Sequence, residues 1–99
     1  MKTFKTLELA VQFYELVRDV KLPSHLRDQM ARASSSIALN LSEGNAKISV
    51  KKCRFYQIAF GSLRECQTIL RLERAGDSRL HDLADHLGAC LYKLTRPRP

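Results

Sequence analysis

The chain has 99 residues, with 17 Lys and Arg against 10 Asp and Glu, a net charge of +7 and a sequence pI near 9.7. That length supports one domain with a single modest core and excludes a second, and the charge makes polyanions the natural class of partner. No apolar run approaches the roughly 18 residues needed to span a bilayer. Cys53, Cys66 and Cys90 are odd in number and far apart, with no secretory signal ahead of them, so the chain reads as cytoplasmic with free thiols.

The first predicted helix runs from about Phe4 to Val20 and stops ahead of Leu22-Pro23, because a residue before proline is pushed out of helical geometry. Two apolar stripes lie along it. Leu7, Ala10, Val11, Tyr14 and Val17 form one, and Leu9, Phe13, Leu16 and Val20 form the other. Together they leave only a narrow polar face of Glu8, Gln12, Glu15 and Asp19. That is more apolar surface than an outer helix of a monomeric bundle needs, so the stripe of Leu9, Phe13, Leu16 and Val20 is expected to face a second subunit, the alternative being a monomer that buries both stripes with a short fourth helix.

The second helix is expected to start at Ser24 as N-cap. Leu26, Met30, Ala33, Ile37 and Leu41 recur at steps of four and three and form its core seam. Gln29, Ser36 and Asn40 line the edge of that seam. Asn40 is either half-buried with a hydrogen-bond partner on a neighbouring helix or solvated near the helix end. Gly44 is expected to stand just beyond the C-terminus, where glycine is commonest.

The third helix is predicted from Ser49, a candidate cap, to Ala75 ahead of Gly76. Tyr56, Phe60, Leu63 and Leu70 lie on one side of its apolar arc, and Phe55, Ile58, Cys66 and Ile69 on the other. Phe55 and Ile58 are expected to join the subunit interface. The fourth helix begins with Asp77 or Ser78 as cap and carries Leu80, Leu83, Leu87, Leu91 and Leu94 on one face. Residues 1–94 are thus one domain, and Thr95 to Pro99 is expected to be a disordered basic tail. No strand-like alternation competes and the connections are short, so the fold class is all-α, an antiparallel up-down four-helix bundle that assembles into a ring-like homo-oligomer.

The opposite face of the third helix carries Arg54, Gln57, Arg64, Thr68 and Arg71, preceded by Lys47, Lys51 and Lys52. Between Gly44 and Arg74 there are seven basic residues and two acidic ones. Lys51 and Lys52 fall in the first turn, where the helix dipole disfavours each cation by about 0.3–1 kcal/mol. Phosphate contacts would supply a reason for them, and a solvated face kept for solubility would supply another. Catalysis has little support: His25, His81 and His86 are scattered, Ser34, Ser35 and Ser36 have no neighbouring base, and there is no phosphate-cradling glycine loop. The expectation is a non-enzyme with no metal and no cofactor.

Gln29, Arg32, Ala33, Ser36, Ile37, Asn40, Leu41, Glu43 and Gly44 match the pattern Gln-x-x-Arg-Ala-x-x-Ser-Ile-x-x-Asn-(Ile/Leu)-x-Glu-Gly, with Ser42 in place of the usual Ala. Phe55, Gly61, Ser62, Leu63 and Glu65 match its companion, an aromatic-rich helix with Gly-Ser-Leu-x-Glu. In both motifs, in order and over about half its length, the chain resembles the four-helix-bundle proteins encoded by intervening sequences in bacterial 23S rRNA genes. The resemblance implies a five-subunit ring. It extends to the accessory variability determinants of diversity-generating retroelements, in which the bundle ring partners a reverse transcriptase and its nucleic acid. The leading expectation is a non-enzymatic oligomeric scaffold that binds RNA, or RNA with DNA. The alternative is a protein-interaction module that docks a partner through the apolar stripes and the Asn40/Glu43 edge, its basicity incidental.

Overall fold

The computed structural model describes residues 2–96, without the side chains of Lys2, Thr3 and Ser49. Four helices make up the described chain: α1 Lys2–Val17, α2 Ser24–Asn45, α3 Ser49–Leu72 and α4 Ser78–Thr95. Each packs on two others: α1 on α2 and α4, and α3 on α2 and α4, the α2/α3 contact being the most extensive. The diagonal pairs α1/α3 and α2/α4 do not meet. The radius of gyration is 13.1 Å, the size expected of one domain of this length.

The helix ends differ from the sequence expectations for local reasons. α1 stops at Val17, and the Asp19 and Val20 amides close a turn on the Leu16 and Val17 carbonyls at 3.3 and 3.2 Å. Ser24 is not a cap: Pro23 occupies that position without any side-chain cap bond, and its carbonyl receives the Leu26 and Arg27 amides at 3.0 and 2.8 Å. Ser49 likewise is the first helical residue of α3, capped by Ile48. Gly44 does not end α2, which continues to Asn45. α3 ends at Leu72 rather than Ala75: the Ala75 amide bonds to the Leu70 carbonyl at 2.9 Å and the Arg74 amide to the Arg71 carbonyl at 3.3 Å. This pair of bonds closes a helix over a left-handed residue, and that residue is Arg74 (φ 48), two positions before the glycine that the sequence suggested. Asp77 caps α4 as expected, its carboxylate accepting from the Leu80 amide at 2.9 Å. α4 runs through Thr95, and residues 97–99 of the predicted tail lie outside the described residues.

The core seams of α2 and α4 are buried largely as their spacing implies: Met30, Ala33, Ile37 and Leu41 on α2, and Leu80, Leu87 and Leu91 on α4. The second stripe of α1 behaves differently from expectation. Leu9 and Phe13, assigned to a subunit interface, are buried inside the single chain, Phe13 completely, while Leu16 and Val20 are half-buried against the same core. A helix at the corner of a four-helix square faces two neighbours, so a wide apolar arc is consumed without any second subunit. The apolar surface left open on α1 is Phe4 and Val11 instead. Cys66 is also part of the core, where burial and the neighbouring Glu65 charge push its thiol up to about 12; it packs as a small apolar group.

Candidate nucleic-acid interface

The two motifs become one structural device, a polar clasp between α2 and α3. Gln29 Nε2 donates to Glu65 Oε2 at 2.9 Å, and Ser62 Oγ donates to Ser36 Oγ at 2.9 Å. Asn40 Nδ2 donates to the Ser36 carbonyl at 2.8 Å and to Ser36 Oγ at 3.0 Å. Asn40 is therefore half-buried and bonded, but within its own helix; it reaches α3 only through the Ser36 hydroxyl. At the far end Tyr56 OH donates to Asn45 Oδ1 at 2.7 Å, and burial raises the phenol above its ordinary range, keeping it a donor. Bonds of this kind pin the sliding register of two helices whose apolar seams alone would tolerate a shift.

Gly44 is needed for close approach rather than for a turn. A Cβ built on it would lie 2.8 Å from Tyr56 Cε1 and 3.2 Å from Phe55 Cβ. Gly44→Ala is expected to destabilise the fold by about 1–3 kcal/mol through overpacking, read as a lower denaturation midpoint with unchanged slope. Gly61 is the opposite case: it is exposed, mid-helix, and a Cβ there would meet nothing within 4 Å. Two other motif residues also point outward. Arg32 is exposed with its side chain unpaired among the described residues, and Glu43 forms an ion pair with Lys47 at 3.2 Å.

That pair takes Lys47 out of the row of free cations; its ammonium also sits 5.9 Å from the Phe55 ring centroid. Lys51, Arg54 and Arg71 are exposed and their side chains have no hydrogen-bond or carboxylate partner among the described residues, and Gln57 is exposed beside them. Lys52 is half-buried. Lys51 and Lys52 do stand in a first helical turn that holds no acid. Thr68 is less available than its spacing suggests, because its hydroxyl donates to the Arg64 carbonyl at 2.9 Å. Arg64 Nη1 donates to Gln67 Oε1 at 3.0 Å, and Gln67 in turn reaches Asp85 on α4 at 3.4 Å. Of the residues assigned to an interface from α3, Phe55 is half-buried and Ile58 is 42% exposed.

Sequence reasoning missed one cluster on the α3/α4 side. Phe60, placed on one side of the apolar arc of α3, is half-buried, and its ring lies 6.3 Å from that of Tyr92 with an interplanar angle of 52°. Arg64 lies over Phe60 at 4.8 Å from the ring centroid, and Arg96 over Tyr92 at 5.5 Å. A signal was present: each arginine follows its aromatic by four residues, the helical step that places one side chain over another. Arg18 follows Tyr14 at the same step and lies 5.8 Å from its ring.

Ser34, Ser35 and His81, for which spacing offered no catalytic arrangement, have structural partners. Ser34 and Ser35 donate to the carbonyls of Ala31 and Arg32 one turn back at 3.3 and 3.0 Å, and His81 Nε2 lies 2.9 Å from the Ala75 carbonyl, where it ties α4 to the preceding turn. Among the described residues no group of three or more His, Cys, Asp and Glu could hold a metal ion, and no helix is long and apolar enough to cross a membrane. Searches of curated proteins and of solved structures each return no match. The chain does match the family described as 23S rRNA-intervening sequence protein over residues 3–92, a span that holds both motifs, the clasp and the cationic row, and it belongs to that family.

Proposed function

We propose that this protein binds nucleic acid, RNA foremost, through the cationic face of α3, and that it works as a non-enzymatic, self-associating scaffold in the cytoplasm. The observation that carries the reading is the row Lys51, Arg54 and Arg71, three exposed cations with no acidic partner among the described residues. Among the described residues no acid in the first turn and no carboxylate partner repays the placement of Lys51 at a helix N-terminus. A phosphate backbone would, through counterion release. The family's name, which refers to 23S rRNA, makes RNA the first polyanion to test.

In this reading successive helices run antiparallel. The cross-helix bonds Gln29 to Glu65, Ser36 to Ser62 and Asn45 to Tyr56 ascend α2 while descending α3, which supports it. Self-association would use the outer surface of α2 and α3 instead of the α1 stripe. Leu39 on α2 is 67% exposed, and Ile58 accompanies an exposed Gly61. A mid-helix glycine costs about 1 kcal/mol relative to alanine, and a Cβ at Gly61 would meet nothing within 4 Å among the described residues, so a second copy approaching there gives it a use. Five copies, the number the family resemblance implies, would join the cationic faces into a band.

The test is binding of RNA and of duplex DNA over a salt series, with oligomeric mass measured in the same buffer. The expected result is an oligomer whose log affinity falls linearly with log salt, by about 0.7–0.9 per phosphate contacted. Absent or salt-insensitive binding would overturn the reading. The exposed apolar residues favour one second reading, a protein-docking module for which a reverse transcriptase is the partner implied by the accessory-determinant resemblance; salt-insensitive capture of a protein would support it.

A further inference from the structure

The geometry points to a stacking site for unpaired bases on the α3/α4 face, in which Phe60 and Tyr92, flanked by the guanidinium planes of Arg64 and Arg96, receive a single-stranded polynucleotide. The inference rests on the polyanion reading above and specifies what one part of the surface recognises. Tyr92 is 52% exposed, and its hydroxyl has no hydrogen-bond partner among the described residues, so neither burial nor a polar contact accounts for it. The groups form one row across the two helices, Arg64 over Phe60 on α3, then Tyr92 on α4 with Arg96, the residue just beyond its C-terminus, over the tyrosine ring. Among the described residues neither arginine is paired with a carboxylate, and the only hydrogen bond that the Arg64 side chain makes is to the neutral Gln67 amide. Both therefore keep their full charge and most of their donors for phosphate. Asp85 accepts from Gln67 Nε2 at 3.4 Å, so the acid is linked to Arg64 only through that neutral amide.

Aromatic faces give little to a duplex, whose bases already stack on one another and whose phosphates lysine and arginine can hold alone. They do serve a single strand, because every base has a π face and can stack on tyrosine, phenylalanine or a guanidinium plane. A protein partner would be expected to meet an apolar rim around Tyr92. The charged groups on the two rings are instead Arg96, over Tyr92, and Arg64, over Phe60, which suit a phosphate backbone.

The experiment measures binding of four probes by fluorescence anisotropy: U10, dT10, an abasic strand of equal length, and a 10-base-pair duplex. The proteins are wild type, Tyr92→Ala, and the double variant Arg64→Lys with Arg96→Lys, which keeps the charge and removes the planar groups. Circular dichroism confirms that each is folded, as the exposure of Tyr92 leads one to expect. Wild type should bind U10 and dT10 more tightly than the abasic strand. Tyr92→Ala should weaken both by roughly 5- to 100-fold, with the salt slope, abasic binding and duplex binding unchanged, and the lysine variant should move in the same direction. Equal wild-type binding of U10 and the abasic strand, or unaltered U10 binding by folded Tyr92→Ala, would overturn the stacking site while leaving the cationic face of α3 intact. Failure of wild type to bind any of the four probes would overturn the polyanion reading itself and the stacking site with it.

Discussion

Phe13→Asp is expected to abolish the folded state. Phe13 is completely buried in the core, and truncating such a phenylalanine to alanine alone costs about 3–5 kcal/mol. The aspartate adds a carboxylate with no partner and no water around it. A domain of this size has only about 5–15 kcal/mol of stability to lose, so the cooperative thermal transition seen by circular dichroism should vanish at room temperature. A folded, smaller species would instead show that Phe13 faces another subunit. Leu39→Asp is the informative contrast: Leu39 is largely exposed, so the helical spectrum should survive while any oligomer held through the outer face of α2 loses mass.

Reversal of Lys51, Arg54 and Arg71 to Glu is expected to reduce RNA affinity by at least 100-fold at low salt, without unfolding the chain. All three side chains are exposed and bond to nothing among the described residues, so their removal leaves no buried group unsatisfied. Lys51→Glu also exchanges a cation for an anion in the first turn of α3, which favours the helix by about 0.3–1 kcal/mol or more. If each cation contacts one phosphate, the salt dependence should flatten by roughly 2 units in log–log slope. Retained affinity with the original slope would remove this face from the binding site. The triple variant leaves Arg64 and Arg96 in place, so it separates the backbone contacts of α3 from stacking against Phe60 and Tyr92.

The candidate site was legible to the extent that it depends on one helix at a time. The spacing of Lys51, Arg54, Gln57, Arg64 and Arg71 implied an outward face on α3, and all five side chains are exposed. What spacing could not show is which of the polar residues around it are already engaged. Lys47 is held by Glu43, Thr68 by its own backbone, and Arg64 by Gln67 and Phe60. The platform of Phe60 and Tyr92 escaped notice because it spans two helices. Each of its halves is a single aromatic-to-arginine step that means little until the other stands 6.3 Å away.

By itself the sequence determined the number of helices, the core seams of α2 and α4, the start of α4 at Asp77 or Ser78 and the family, since periodicity, capping and short motifs are local properties of a chain. Only the tertiary structure decided where the apolar excess of α1 goes, why Gly44 must be glycine, and what the motif residues do. Each of those depends on what a second or third helix places opposite a residue. Phe13 reads as surplus until two neighbouring helices cover it, and Gly44 reads as a terminator until the Tyr56 ring is seen to need its space.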